Sequence, residues 1–153
     1  MISKKVFHQL VKKGLTISFA ESMTGGLMTY ELIKNPGASK VIKGSIIAYS
    51  DEQKVNLLGI SQDEIKKYPI VSKEIAIRMA NQIKHKIGAS IGIGITGNAG
   101  PELQQGTDKQ EVWIGISKDH QDVCYHLDLS GLSRIQAIRK AVRFTYEKLA
   151  VLI

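Results

Sequence analysis

The chain has 153 residues, 43% of them hydrophobic and 23% charged, with a single cysteine. That length sets one globular domain, 1–153, and one cysteine excludes an intramolecular disulfide framework and fits a reducing cytoplasm. The net charge of +7 suits a phosphorylated small molecule, a nucleic acid or a plain basic surface. No apolar run approaches the roughly 20 residues of a membrane span, and the lysines are scattered without the aromatic platforms of single-strand binders.

Residues 3–13 carry Val6, Leu10 and Val11 at helical spacing, and Gly14 ends that helix. Lys4, Lys5, Lys12 and Lys13 interrupt any leader-like apolar region. Leu15–Phe19 reads as a buried strand. A helix is predicted over 24–34, stopped by Asn35-Pro36-Gly37, and a second apolar strand over Val41–Ala48. Glu52–Leu58 is a short helix closed by Gly59. Ser61 and Ser72 have the form of helix caps, the second opening a helix to about Lys86. Ala89–Ile95 is a near-continuous apolar run, as a strand buried on both faces shows. Val112–Ser117 and Asp122–Leu129 form a hairpin around 118–121, and a last helix covers 133–150.

Strands and helices alternate for most of the length, and two strands then come in succession. This order predicts an α/β domain of three layers, α/β/α, around a mostly parallel mixed sheet of about five strands, one strand antiparallel. Ligands of such sheets bind beyond the carboxyl ends of the strands. The loops from Ala20, Tyr49 and Thr96 each follow a predicted strand and are expected to open on that edge.

The first loop, Ala20-Glu21-Ser22-Met23-Thr24-Gly25-Gly26, places a serine and two glycines at a strand-to-helix turn, where backbone N–H groups favour negative charge. Ser22 needs a base to act as a nucleophile. Glu21 is a poor one, because neighbours on an extended chain point apart. No histidine occurs in the three loops: His8 and His85 fall on helices, and His120 and His126 in or beside the hairpin. Lys54 is a base only if burial or nearby positive charge populates its neutral form, and Tyr49 has a phenol to orient or relay a proton. Spacing alone favours a surface lysine and a tyrosine closing a strand over a Ser22–Lys54 dyad. Thr96 and Gly97 follow the apolar run and allow close approach to a ligand; an ordinary turn fits equally. Neither glycine segment has the spacing of a Walker loop or dinucleotide fingerprint. Arg134 and Arg139, on the last helix, offer guanidinium forks for phosphate, and five residues apart only one is expected to reach a ligand. His120 with Asp119 and Asp122 is read as an exposed turn, so no metal site is assigned. Cys124, in a strand, reads as a packed, inert thiol.

Beyond the first loop, Asn35-Pro36-Gly37-Ala38-Ser39, Ala48-Tyr49-Ser50 with Lys54, Leu57-Leu58-Gly59, Val71-Ser72, Ile95-Thr96-Gly97 with Ala99-Gly100-Pro101, and Val112-Trp113-Ile114 occur in one order. With these the chain resembles the CinA C-terminal-domain family over essentially its whole length, in the stand-alone form. The resemblance implies hydrolysis of nicotinamide mononucleotide to nicotinic acid mononucleotide and ammonia, in pyridine-nucleotide salvage, without metal or cofactor, by a cytoplasmic dimer or larger oligomer. It makes Ser22 the nucleophile, Lys54 the base and Tyr49 its partner, reversing the reading from spacing. It places Glu21, Thr24, Gly25 and Gly26 around the substrate, with the N–H groups near Thr24 and Gly25 as the oxyanion hole. Thr96, Gly97 and Arg134 or Arg139 would hold the ribose phosphate. The chain departs from the family's pattern where Gln110-Glu111 replaces Gly-Thr, where Glu102-Leu103-Gln104-Gln105-Gly106-Thr107 replaces a glycine-rich segment, and where Arg134 is displaced by one. Larger residues there would narrow the pocket, and Glu111 would repel a phosphate. The alternatives are therefore an amidase for a different small amide, or a nucleotide-binding regulator without catalysis.

Overall fold

The computed structural model describes residues Met1 to Ile153. Strand β1 (Ile17–Glu21) runs parallel to β2 (Ile42–Ile47) on one side and to β3 (Ile91–Asn98) on the other. Strand β4 (Glu111–Lys118) pairs antiparallel with β3, and β5 (Gln121–Asp128) antiparallel with β4, giving the order β2-β1-β3-β4-β5. Only β4 therefore runs against the other strands, as the sequence predicts.

Helices α1 (Ile2–Lys13), α2 (Leu27–Ile33) and α6 (Arg134–Leu152) share the larger apolar core with the sheet. Helices α3 (Asp51–Leu58), α4 (Gln62–Lys67) and α5 (Lys73–Ile87) share the second core, on the other face. Ser50, Ser61, Ser72 and Ser133 each accept a backbone N–H three residues on, capping α3, α4, α5 and α6. Helix α5 lies unusually close to the sheet because β3 and β4 carry glycine beneath it. A Cβ on Gly94 would stand 2.2 Å from the Ala76 carbonyl oxygen, and one on Gly115 would stand 2.5 Å from the same atom.

Three of the boundaries that differ from the sequence reading bear on the site. Strand β1 starts at Ile17 and runs to Glu21, because a charged residue at its end is buried rather than exposed. Strand β3 continues to Asn98, so Thr96 and Gly97 are strand residues paired with Trp113 and Val112, not loop residues. Helix α2 starts at Leu27 rather than at 24. The intervening residues make a tight turn in which the Gly25 N–H donates to the Ser22 carbonyl at 3.1 Å, with Gly25 and Gly26 at φ +57° and +100°. No helix is long and apolar enough to cross a membrane.

Candidate active site

The chain passes from β1 to β2 on one side and returns to β3 on the other, so strand order reverses beside β1. Ligands of open α/β sheets bind at such a reversal, beyond the carboxyl ends of the strands. The residues just past β1, β2 and β3 meet there, as the loop positions predict.

Ser22 is the first residue past β1. Lys54 comes from the second turn of α3, which follows β2 directly. Both are buried, at 3% and 2% exposure. The Lys54 Nζ donates to the Ala48 carbonyl at 3.0 Å, to the Tyr49 carbonyl at 3.3 Å and to Ser22 Oγ at 3.1 Å. A tetrahedral nitrogen with two directions committed to carbonyls turns its remaining direction to the serine. In the ammonium that direction is an N–H; in the amine it is a lone pair facing the hydroxyl. Burial lowers the Lys54 pKa to about 8, and Asp51 pulls it up by less than burial pushes it down. The base form is therefore reachable near neutral pH, and no carboxylate forms a salt bridge with this lysine.

Beyond Ser22, the backbone N–H groups of Met23 and Thr24 donate to no atom of the chain. Those of Gly25, Gly26 and Leu27 are engaged, with the Ser22 carbonyl, Glu21 Oε1 and the Thr24 carbonyl respectively. The free donors thus sit one residue earlier than expected, at 23–24 instead of 24–25. Two adjacent unpaired N–H groups after a serine can hold an oxyanion.

Glu21 does not face a ligand. It is fully buried, and its carboxylate accepts from the Thr24 hydroxyl (2.7 Å), the Gly26 and Met28 N–H groups (3.1 and 3.0 Å), and the Thr29 N–H and hydroxyl (3.0 and 2.6 Å). It neutralises the orphan donors at the start of α2 from the preceding strand, and so fixes the turn that carries Ser22. Its expected substrate contact is corrected on that ground, as are those of the Thr24 hydroxyl and the Gly25 and Gly26 N–H groups, all used inside the turn.

Ser22, Met23, Tyr49, Gly97, Asn98, Ala99, Glu102, Leu103, Gln104 and Arg134 line one cavity of about 430 Å³. Arg134 reaches it from the first turn of α6: its Nη1 donates to the Gly100 carbonyl at 2.6 Å and its Nη2 to the Tyr49 hydroxyl at 2.8 Å. Tyr49 is thus tied to Lys54 by its carbonyl and to Arg134 by its phenol. Gly97 also belongs to this wall, where a Cβ would stand 2.6 Å from Met23 Sδ.

Two further expectations are corrected. The Thr96 hydroxyl donates to the Ile70 carbonyl at 2.7 Å, on the α5 side of the sheet, and does not line the cavity. Arg139 lines a different, larger cavity of about 590 Å³, together with Met1, Tyr30 and Glu31. The departures at 110–111 do not close the site either. Gln110 donates to the Ala99 and Leu132 carbonyls, both at 2.8 Å, and braces two loops together. Glu111 accepts from the Thr107 hydroxyl at 2.6 Å and pairs with His126 Nε2 at 2.7 Å. Burial works against the charged form of Glu111, but these two partners hold its pKa below the usual value. It therefore does not confront a ligand in the cavity. Glu102, Leu103 and Gln104 do stand in the wall, where the sequence expects larger residues to narrow the pocket, while Met23, Asn98 and Ala99 are wall residues to which it assigns no role. Burial pushes the Cys124 thiol up to about 11, in keeping with a packed, inert thiol.

The family model described as the CinA C-terminal domain matches residues 1–153. The chain is 41% identical over 145 residues to a competence-damage inducible protein of Lysinibacillus sphaericus, covering 94% of this chain and 34% of that protein. It is 48% identical over 101 residues to a CinA-like protein of Dictyoglomus turgidum, covering 66% and 25%. The chain thus spans about a quarter to a third of the length of these curated relatives. Among solved structures, a competence-damaged protein (CinA) superfamily protein from Escherichia coli superposes with TM-score 0.93 at 27% identity, over 100% of this chain and 91% of that one. A competence or damage-inducible protein from Enterobacter asburiae gives 0.93 at 28%, over 99% and 95%.

Proposed function

The chain belongs to the CinA C-terminal domain family, and from that premise we propose that it is a serine amidohydrolase that deamidates nicotinamide mononucleotide to nicotinic acid mononucleotide, with release of ammonia. The observation that carries the reading is the contact of 3.1 Å between Lys54 Nζ and Ser22 Oγ, both side chains being buried.

Ser22 Oγ attacks the carboxamide carbon as its proton passes to the Lys54 amine. The carbonyl oxygen gains the charge and accepts from the Met23 and Thr24 N–H groups, which have no partner within the chain. Collapse of the tetrahedral species breaks the C–N bond, and the Lys54 ammonium returns its proton to the leaving nitrogen, which departs as ammonia. A water then attacks the Ser22 ester with Lys54 as base again, releasing the carboxylate and restoring the serine hydroxyl. Arg134, held by Tyr49 and the Gly100 carbonyl, meets the ribose phosphate.

The test is ammonia release from nicotinamide mononucleotide. Wild type is expected to turn over, with or without chelator, and Ser22→Ala to lose at least about a thousandfold in kcat. A folded wild type that releases no ammonia between pH 7 and 9 sinks the reading.

A further inference from the structure

Asn98 ends β3, and only one of its two amide atoms has a partner. Its Oδ1 accepts from the Gln104 N–H at 3.2 Å. While Gln104 is seated, that donor fixes the orientation of the amide, since the flipped form would set NH₂ against N–H. The Nδ2 is then buried with no partner. Native chains pair nearly all such groups, so an orphan donor calls for an explanation. Two other buried polar atoms share this condition, Gln9 Oε1 and Ser18 Oγ, and neither residue lines the site. Asn98 does, at 2% exposure, beside Gly97, Ala99 and Arg134.

Gln104 is the residue seated on the amide oxygen. It is exposed, and two long hydrogen bonds hold it: its N–H to Asn98 Oδ1, and its Nε2 to the Gly97 carbonyl at 3.3 Å. Water can replace both bonds if Gln104 lifts, so uncovering Asn98 costs little. The uncovered wall offers donors. The Arg134 guanidinium is bound to a carbonyl and a phenol and to no carboxylate. Glu102, the one carboxylate in the wall, is exposed to solvent and screened by it. A group rich in acceptor oxygens and negative charge fits an amide donor beside a guanidinium.

We propose that Asn98 is a specificity-determining residue, whose Nδ2–H donates to the phosphate monoester of the substrate beside Arg134 once Gln104 is displaced. This rests on the reading of the site as a nucleotide amidase. It also gives the departure at Gln104 a role: that residue occupies the Asn98 amide until the phosphate displaces it.

The experiment is calorimetric titration of wild type, Asn98→Leu and Asn98→Asp with the product, nicotinic acid mononucleotide, and with its phosphate-free riboside. Thermal unfolding without ligand runs alongside. Asn98→Leu is expected to bind the mononucleotide at least about tenfold more weakly, the riboside within twofold of wild type, and to unfold at no lower temperature than wild type. Asn98→Asp is expected to bind the mononucleotide more weakly still, because a carboxylate then faces the phosphate. Wild-type affinity in Asn98→Leu, or equal losses for mononucleotide and riboside, overturns the proposal. A lower unfolding temperature with unchanged affinity would make the amide a structural one and also overturn it. If those failures come with a wild type that binds and turns over, the amidase reading survives; a wild type that neither binds the mononucleotide nor releases ammonia fails both.

Discussion

Lys54 Nζ and Ser22 Oγ stand 3.1 Å apart although their residues lie 32 positions apart in the chain, and α3 brings the lysine in beneath the serine with no carboxylate to pair it. A buried lysine paired only by carbonyls and a hydroxyl holds its proton weakly. This relationship gives both activity and stability a dependence on pH through Lys54.

The pKa of about 8 belongs to the ammonium, so the base form grows as pH rises through 8. The kcat for ammonia release is expected to climb with unit slope and level off above that value. At pH 6 it should lie roughly a hundredfold below the plateau. Stability follows with a worked sign. Between about 8 and 10.5 the unfolded chain holds more protons at Lys54 than the folded chain, so stability from this group rises with pH, and the burial penalty is complete below 8. Lys54→Met removes the penalty. Its stability relative to wild type is expected to be more favourable at pH 7 than at pH 10, by at most about 3 kcal/mol in chemical denaturation.

Tyr49 offers Lys54 its carbonyl and Arg134 its hydroxyl. Tyr49→Phe is therefore expected to raise KM for the mononucleotide severalfold, with the pH midpoint of kcat unmoved, as steady-state rates from pH 6 to 10 will show. Arg134→Ala should raise that KM further, by roughly thirtyfold or more for a lost charge-assisted pair. Arg139→Ala, in the other cavity, should stay within twofold.

Glu21→Gln keeps the shape of the turn but sets an NH₂ among donors that now share a carboxylate. Each oxygen of Glu21 receives at least two of them, so no amide orientation satisfies the set. The expected loss is roughly 3 kcal/mol of stability in urea unfolding, with activity falling through a displaced Ser22.

Gly94→Ala puts a methyl 2.2 Å from the Ala76 carbonyl oxygen and 2.6 Å from the Ala80 nitrogen. Both atoms are backbone of α5, which cannot rotate aside as a side chain can. Overpacking of this kind costs about 3 kcal/mol, and α5 should lose amide-exchange protection before the far face of the sheet does.

Most of the fold was legible because its signals are local: serines at helix starts, glycines at helix ends, and apolar runs at sheet spacing. Ser61 and Ser72 cap where the sequence places them, and the 118–121 turn joins the predicted hairpin. The strand ends were not legible where polarity and burial part company. Glu21 and Thr96 read as loop residues past the strands, yet both are buried strand residues, because each finds partners that only the folded chain supplies. For the same reason Glu21 and Thr96 passed for ligand contacts when they hold up the walls. Spacing alone favours a surface lysine, and the burial of Lys54 against Ser22 overturns that reading; the motif resemblance had pointed the other way. Arg134 and Arg139 look alike in sequence, and only the rotation of α6 separates them.

The most direct test of the central claim, that Ser22 is a nucleophile activated by Lys54, is rapid-quench mass spectrometry of wild type with nicotinamide mononucleotide. The expected result is a transient adduct with the mass of the substrate less ammonia, mapping to Ser22, absent from Ser22→Ala and slow to form in Lys54→Met. Ammonia release at the wild-type rate by Ser22→Ala would contradict it.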